Sequence, residues 1–242
     1  MTLFISKETI SRLLKDVKQI IVNPLTENGI YYIHDETDML KGYALIIGPS
    51  ETPYFGGYYF FELQYPSDYP HSPPKVFYCT NGEDIRFNPN LYKCGKVCIS
   101  LLNTWRGEQW TSCQTISTVL LTLCSLLCKN PLLNEPGVTN IHIDLNNYNN
   151  IVEYANLNVA VCDIVNKKHG IYMDFFENFY PFIKESFIKN YDEMLKFAEN
   201  KSITDFQEVK TIKTSYYTMS VNINYHKLIQ KLIDCKIKMI EK

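Results

Sequence analysis

The sequence predicts an α+β protein. An amphipathic helix, a four-stranded antiparallel meander, a long loop and a second helix should be followed by an all-helical C-terminal extension. The spacing of apolar residues changes from helical to strand-like near residue 30 and returns to helical near residue 116. Glycine and proline residues separate the strand-like runs. We therefore divide the 242-residue chain into a core domain, 1–137, and a helical extension, 138–242.

The first helix is predicted over residues 7–22. Its apolar side chains recur at helical spacing, with lysines on the opposite face. These side chains are Ile10, Leu13, Leu14, Val17, Ile20 and Ile21. A stripe of this kind faces a core. Asn23-Pro24 should end the helix, because the residue before a proline avoids the helical conformation.

Four strands follow, each rich in β-branched and aromatic residues. They are predicted at residues 30–34, 43–47, 58–65 and 75–79. Gly48-Pro49, Gly56-Gly57 and the proline-rich segment 66–74 separate them. Connections this short join neighbouring antiparallel strands, so the strands should form a meander.

A segment with little periodicity, residues 81–110, connects the last strand to the second helix. Loops of this length inside a compact domain are usually functional. Asn90 precedes Cys98 by eight residues, with Gly95 between them. This spacing predicts a thiol that faces an amide across the loop.

The second helix should begin at a capping box formed by Thr111 and Gln114. Its apolar stripe consists of Ile116, Val119, Leu120, Leu123 and Leu127. Three more helical stripes are predicted in the extension, at residues 148–162, 183–198 and 228–240. Residues 201–216 are predicted to be a mobile linker before the last helix.

Charge and hydropathy argue against several classes of protein. The net charge is -2 and no run of lysine and arginine is long enough to suggest a binding tail, so we expect no nucleic-acid partner. The first residues turn polar too early for a secretory signal. The longest apolar region, 119–127, is too short to span a bilayer, so we expect no membrane association. The expected location is the cytoplasm, the nucleus or both, or the host cytoplasm if the source is a virus.

Several motifs resemble those of the E2 ubiquitin-conjugating enzymes. Segments 43–49, 52–60 and 65–76 match the family's motifs in the family's order. Asn88-Pro89-Asn90 resembles the family's His-Pro-Asn signature, and Cys98 lies at the spacing of its nucleophile. Asn88 stands at the family's histidine position and is interpreted as a structural substitution.

The chain also resembles, more closely, the E2 module of giant hybrid E2/E3 proteins such as apollon (BRUCE). Phe87-Asn88-Pro89-Asn90, Asn103-Thr104-Trp105 and Asn134-Glu135-Pro136-Gly137 carry this likeness. It is strong over residues 7–137 and loose over residues 138–242.

The resemblance implies an enzyme that receives ubiquitin as a thioester on Cys98 and transfers it to lysine amines, without a cofactor or metal. Asn90 would donate a hydrogen bond to the oxyanion of the transition state; alternatively, it only pins the loop. Glu135 corresponds to the acidic residue that, in the family, orients the acceptor amine. Two alternatives remain: Asn134 takes this position, or the Glu135 carboxylate only solvates the end of a helix. Ser100 could gate the cleft.

The resemblance also implies partners. Ubiquitin and the activating enzyme (E1) are expected, the E1 at the first helix, residues 7–22. E3 or substrate docking is expected at His71, at Ser112-Cys113 and on the C-terminal helices. The family has an apolar residue at the position of His71 and a proline at the position of Ser112. Their absence removes side chains of the kind that anchor such interfaces by being buried in the partner. We therefore hypothesise ubiquitin transfer with little or unusual E3 help.

Other interpretations remain open at this point. The chain could be a non-catalytic E2-like module that binds ubiquitin or an E3, or an E2 for a ubiquitin-like modifier. A zinc site could use Cys94, Cys98, Cys124 and Cys128, although their spacing differs from the usual two-residue knuckle. Trp105 and Trp110 are expected to anchor the insertion between them through their indole N–H groups, the alternative being contact with ubiquitin or substrate.

Overall fold

The computed structural model describes residues 5–82, 84–204 and 209–240. The elements are α1 (Lys7–Val22), β1 (Ile30–His34), β2 (Lys41–Ile47), β3 (Tyr58–Gln64), β4 (Lys75–Tyr78), α2 (Ile116–Leu126), α3 (Leu145–Ala155), α4 (Tyr180–Thr204), β5 (Lys210–Lys213), β6 (Ser220–Ile223) and α5 (Tyr225–Ile240). They confirm the predicted α+β class. No helix in the described ranges is both long and apolar enough to cross a membrane.

The chain forms two compact units, which are described separately. The first consists of Met1–Ile46, Tyr59–Cys79 and Asn90–Leu126; the second consists of Ile47–Tyr58, Thr80–Pro89 and Leu127–Lys242.

The four-stranded sheet has the order β1-β2-β3-β4, as a meander requires. β1 pairs antiparallel with β2, with Ile30 opposite Ile46. β3 pairs antiparallel with β4, with Phe61 opposite Tyr78. The observed strands agree with the predicted ones to within two residues at each end. The predicted and observed strand ends agree closely because a run of β-branched and aromatic residues between turn residues indicates a strand from neighbouring positions alone.

Helix α1 has the predicted bounds. The Ser6 hydroxyl caps it by accepting a hydrogen bond from the Thr9 N–H at 3.0 Å. Leu13, Val17 and Ile20 are buried. The buried stripe is narrower than predicted, since Leu14 and Ile21 are exposed.

Helix α2 begins later than the predicted capping box. The Thr111 N–H donates to Gln114 Oε1 at 2.7 Å, but this bond closes a turn that precedes the helix. The Thr115 hydroxyl instead accepts the Thr118 N–H at 3.3 Å, immediately before the helix starts at Ile116. Two residue pairs with the three-residue spacing of a capping box follow one another, Thr111 with Gln114 and Thr115 with Thr118. The second pair caps the helix.

The second unit contains α3, α4 and α5. Helix α3 continues as a π-helical stretch, Asn156–Asp163, so the predicted stripe from Tyr148 to Cys162 is buried across both. The stripe of α4 is also buried, at Ile183, Phe187, Tyr191, Met194 and Ala198. In α5 the buried face consists of Tyr225, Leu228, Leu232, Cys235 and Met239, whereas Ile240 is exposed. The predicted helical extension is confirmed, but the expectation that it is all-helical is wrong, because it also contains the strands β5 and β6.

The predicted linker at 201–216 is wrong. Residues 201–204 continue α4, and residues 210–213 form β5, which pairs with β6 in a hairpin; residues 205–208 lie outside the described ranges. The Asp144 carboxylate accepts hydrogen bonds from the N–H groups of Ser215 and Tyr216, at 2.9 and 3.0 Å, at the connection of this hairpin. Each strand has only four residues, and β5 has a single apolar side chain, Ile212, so the hairpin gives little periodic signal in the sequence.

Candidate thiol active site

A β-hairpin carries the predicted nucleophile. Tyr92 donates its N–H to Lys96 O at 2.9 Å and accepts the Gly95 N–H at 2.9 Å. Gly95 has φ 87°, in the left-handed region that favours glycine. A turn followed by a left-handed glycine is a usual way to build a three-residue hairpin loop.

The hairpin register explains the eight-residue spacing of Asn90 and Cys98. Leu91 pairs with Val97, and one residue further the Cys98 N–H donates to Asn90 O at 2.9 Å. The Asn90 side-chain Nδ2 donates to Cys98 O at 2.7 Å. The amide and the cysteine are therefore held together by a backbone and a side-chain hydrogen bond.

Thr104 is bonded to Cys98 and its neighbours. The Cys98 Sγ donates to the Thr104 carbonyl at 2.9 Å, and Cys98 is only 4% exposed. The Thr104 hydroxyl accepts the Ile99 N–H at 2.9 Å and lies 3.1 Å from Val97 O. Only the protonated thiol can donate the sulfur bond, so a Cys98 thiolate cannot keep this contact.

The insertion at residues 103–110 folds back over Ser100. Asn103 has φ 57°, and its Oδ1 accepts the Trp110 N–H at 2.9 Å, which closes the loop. Gly107 has φ 135°, and a Cβ there would lie 3.0 Å from the Ser100 Cβ. The structure thus places Ser100, the predicted gate, directly beneath the insertion.

The two tryptophans of the insertion behave differently. Trp110 is 8% exposed and donates its indole N–H to Pro70 O at 2.7 Å. Trp105 is 45% exposed. The prediction that both indoles anchor the loop is wrong for Trp105.

Thr104→Val is expected to make Cys98 about three- to ten-fold more reactive toward iodoacetamide. The substitution removes the acceptor of the Ile99 N–H, a loss of about 1 kcal/mol that should loosen the loop over the sulfur. Mass spectrometry of the Cys98 peptide measures this reaction among the eight cysteines of the chain. Thr104→Ser keeps the hydroxyl and should match the wild type. Equal rates for the valine and serine variants would show that the hydroxyl does not hold the loop.

In the second unit, side chains bind the backbone that leads to Asn90. The Tyr54 hydroxyl donates to Phe87 O at 2.7 Å and accepts Asn88 Nδ2 at 3.0 Å. Asn88 is fully buried. Its amide therefore has a structural contact at the position where the resemblance expected a histidine.

Arg86 extends this set of contacts. Its guanidinium donates to Asn88 O at 3.1 Å and to Pro89 O at 2.7 Å, and the residue is 8% exposed. The Arg86 Cζ lies 4.8 Å from the ring centroid of Tyr217, within the range of a cation–π contact. The Tyr148 hydroxyl donates to Arg86 O at 2.7 Å. Arg86 thus ties the Asn88-Pro89 backbone to α3 and to the β5–β6 connection.

Glu135 lies in the second unit, whereas Asn90, Cys98 and Ser100 lie in the first. Its carboxylate accepts a hydrogen bond from the Tyr217 hydroxyl. Asn134, the alternative by register, ends a short 3₁₀ turn, Pro131–Asn134.

A model of the family described as "Ubiquitin-conjugating enzyme" matches residues 12–173 of the chain, which is more than half of it. The chain belongs to the ubiquitin-conjugating enzyme (E2) family. The fold is accordingly the ubiquitin-conjugating fold, followed by a largely helical extension.

Relatives of this E2 include "Ubiquitin-conjugating enzyme E2 Z" of Danio rerio, which is 40% identical over 190 residues, or 77% of this chain and 56% of the relative. The Homo sapiens protein of that name is 42% identical over 160 residues, covering 65% and 45%. "Dual E2 ubiquitin-conjugating enzyme/E3 ubiquitin-protein ligase BIRC6" of Homo sapiens is 44% identical over 124 residues, covering 47% and 2%. The E2 therefore spans about half the length of its E2 Z relatives and a small part of the hybrid protein.

The predicted docking loops of the E2 lie beside α1. The His71 Nε2 is 3.5 Å from Glu8 Oε1, and both side chains are exposed. Ser112 and Cys113 are also exposed, and Ser112 O accepts a hydrogen bond from Arg12 Nη1 at 2.5 Å. The loop of Ser112 is thus fastened to α1 by an arginine of that helix.

Sequence reasoning about this E2 did not identify Thr104, Arg86 or Tyr217 as parts of the site. Thr104 lies in the motif Asn103-Thr104-Trp105, whose residue types indicate no role for its hydroxyl. A buried arginine two residues before the Asn-Pro-Asn motif gave no periodic signal, and Tyr217 lies 131 residues further along the chain. Among the described residues, no group of three or more His, Cys, Asp or Glu side chains is arranged to hold a metal.

Proposed function

We propose that this E2 accepts ubiquitin from an E1 as a thioester on Cys98 and transfers it to lysine amines of substrates with little help from an E3. The observation that carries the proposal is the hairpin register, in which the Asn90 amide is bonded to the main chain of Cys98. Membership of the E2 family supports it. The exposed His71 and Ser112, which lack the apolar and proline anchors, support the limited E3 contribution.

Loading exchanges one thioester for another. The Cys98 sulfur attacks the carbonyl carbon at the ubiquitin C-terminus, a C–S bond to Cys98 forms, and the C–S bond to the E1 breaks with release of the E1 thiolate. A thiolate is both the better nucleophile and the better leaving group than an alkoxide. The Thr104 carbonyl, which accepts the S–H hydrogen bond, must release the thiol first.

Discharge forms the new bond to the substrate. The neutral lysine nitrogen attacks the thioester carbonyl, the oxygen carries the negative charge of the tetrahedral intermediate, and collapse breaks the C–S bond and returns the Cys98 thiolate. The amine proton passes to a base. The Asn90 amide nitrogen, which donates to Cys98 O, is the proposed donor to this oxyanion. A role of Glu135 in orienting the amine, and of Ser100 as a gate, is proposed from the resemblance alone.

A gel experiment tests the function. The protein, ATP and a panel of E1 and modifier pairs are incubated and run without reductant. Ubiquitin should give a band that thiols remove, and Cys98→Ser should give at most a thiol-resistant oxyester. Loading by a different modifier alone would assign the protein to that modifier. Absence of a thioester with every pair would favour a non-catalytic binding module. The limited need for an E3 is tested with the thioester that the gel has confirmed. This thioester is mixed with free lysine in the absence of any E3, and it should transfer its ubiquitin to the lysine.

A further inference from the structure

An open pocket of about 330 Å³ lies in the second unit. Its walls come from the connection of β2 and β3, the chain that follows α2, the helix α3 with its π-helical continuation, and α4. Its volume is at the lower end of the range of about 300–1,000 Å³ that is usual for ligand pockets. The pocket therefore suits one or two side chains of a peptide rather than a large cofactor.

Helix periodicity brings the lining side chains of each helix together. On α4, Glu193, Phe197 and Lys201 follow one another at four-residue spacing. On α3, Asn149 and Glu153 have the same spacing. Residues at this spacing lie on one face of a helix. Beside the pocket, the Lys201 Nζ is 2.6 Å from Glu153 Oε2 and 5.3 Å from the ring centroid of Phe197. These two helix faces thus already hold one cation at a carboxylate and an aromatic ring.

The pocket carries more negative than positive charge. Among the described residues, the charged side chains that line it are Glu51, Glu153, Glu193 and Lys129. The carboxylate of Glu153 is paired with Lys201. Glu51 and Glu193 are exposed, and neither forms an ion pair with another described residue. Two unpaired carboxylates against the single ammonium of Lys129 leave a net attraction for a cation.

A strained turn carries Glu51 into the wall of the pocket. Glu51 has φ 58°, in a region that non-glycine residues rarely adopt. The Thr52 hydroxyl stabilises the turn by donating to Pro49 O at 2.7 Å and accepting the Tyr54 N–H at 3.2 Å. Residues in such conformations persist where the surrounding structure fixes them, and they are frequent at ligand sites. The backbone that carries this carboxylate is therefore ordered before a ligand binds.

Apolar side chains form much of the remaining surface. Leu157 and Met194 are buried, whereas Phe55 and Phe197 are partly exposed. The Asn156 side-chain Nδ2 donates to Phe55 O at 2.9 Å, which ties the β2–β3 connection to the π-helical stretch. Aromatic faces attract cations, and a guanidinium suits them because it is planar and more weakly hydrated than an ammonium. Two unpaired carboxylates beside two phenyl rings thus match an arginine, whose stem packs on apolar surface.

We propose that this pocket is a docking site for an arginine of a partner protein, in a segment where an apolar residue adjoins the arginine. The guanidinium binds Glu51 and Glu193, and the apolar neighbour packs against Leu157 and Met194. The proposal goes beyond the transfer function and does not depend on it, since every residue of the pocket belongs to the second unit.

Peptide titrations of the full chain, followed by nuclear magnetic resonance, test the docking site. The probes are four-residue peptides with blocked ends, in which one variable residue precedes leucine between two glycines. The variable residue is arginine, lysine, or citrulline, which is the neutral isostere of arginine. The arginine peptide should bind about three- to ten-fold more tightly than the citrulline peptide, as exposed ion pairs and a cation–π contact imply. The Phe55 and Phe197 amides should shift, and high salt should reduce the ratio of the two affinities.

Substitutions assign the preference to the pocket. In Glu51→Gln/Glu193→Gln the ratio of arginine to citrulline affinity should fall to about one. Glu185→Gln/Glu199→Gln removes the same charge from exposed positions of α4 outside the pocket and should keep the wild-type ratio. Lys129→Gln removes the repelling ammonium and should raise the affinity for the arginine peptide about two-fold. Each ratio is taken within one variant, so a general change in affinity cancels.

The results that would overturn the proposal are distinct from one another. Equal affinities for the arginine and citrulline peptides, or shifts only outside the pocket, would exclude the docking site. Equal affinities for the arginine and lysine peptides would exclude the choice of arginine. Binding of butylguanidinium alone as tightly as the arginine peptide would assign the pocket to a small cation rather than to a partner protein. All of these measurements use the unloaded protein, so a failure to load ubiquitin would overturn the transfer function and not the docking site.

Discussion

Asn90→Ala is expected to accept ubiquitin at nearly the wild-type rate but to discharge it to free lysine about 100-fold more slowly. The loss of one donor to an oxyanion typically removes about 2.7–4 kcal/mol of transition-state stabilisation. Loading is less affected because the Cys98 N–H bond to Asn90 O, at 2.9 Å, uses the backbone and survives the substitution.

Two rates distinguish catalysis from loop support. Loading and single-turnover discharge are measured on the same preparation, with Asn146→Ala as the control, because Asn146 is an exposed asparagine of α3. A loop-pinning role through the 2.7 Å bond to Cys98 O should slow both steps together. Wild-type discharge by Asn90→Ala would remove the oxyanion role.

Arg86→Met is expected to lower the free energy of unfolding by about 2–4 kcal/mol. The substitution leaves the carbonyls of Asn88 and Pro89 without the guanidinium that bonds them in a buried site. An unsatisfied buried acceptor costs about 1–3 kcal/mol. The stacking of Arg86 on Tyr217 is lost as well.

Urea denaturation measures this loss, and Arg106→Met is the matched control because Arg106 is exposed in the insertion. The control should change the unfolding free energy by no more than about 0.5 kcal/mol. If the two variants are equally stable, the contacts of Arg86 do not support the backbone before Asn90. Tyr217→Phe keeps the ring and removes only the hydroxyl bonded to Glu135, so it separates the cation–π contact from that hydrogen bond.

The predicted helices and strands agree with the observed ones where the sequence pattern that indicates them spans only a few neighbouring residues. Helix α1 and the four strands were located from periodicity and turn residues, because each depends on side chains a few positions apart. The cap of α2 was displaced from Thr111 to Thr115, since two capping patterns follow one another and packing selects between them. The β5–β6 hairpin was missed because its strands have four residues each and few apolar side chains.

The sequence by itself determined the family and the spacing of Asn90 and Cys98, since these depend on motifs and on the register of one hairpin. Only the tertiary structure decided that Thr104 bonds the sulfur, that Trp110 is buried while Trp105 is exposed, and that Glu51 and Glu193 line one pocket. The same holds for Arg86, whose partner Tyr217 comes from a distant hairpin. Contacts between residues far apart in the chain follow from packing, which leaves no periodic pattern in the sequence around either partner.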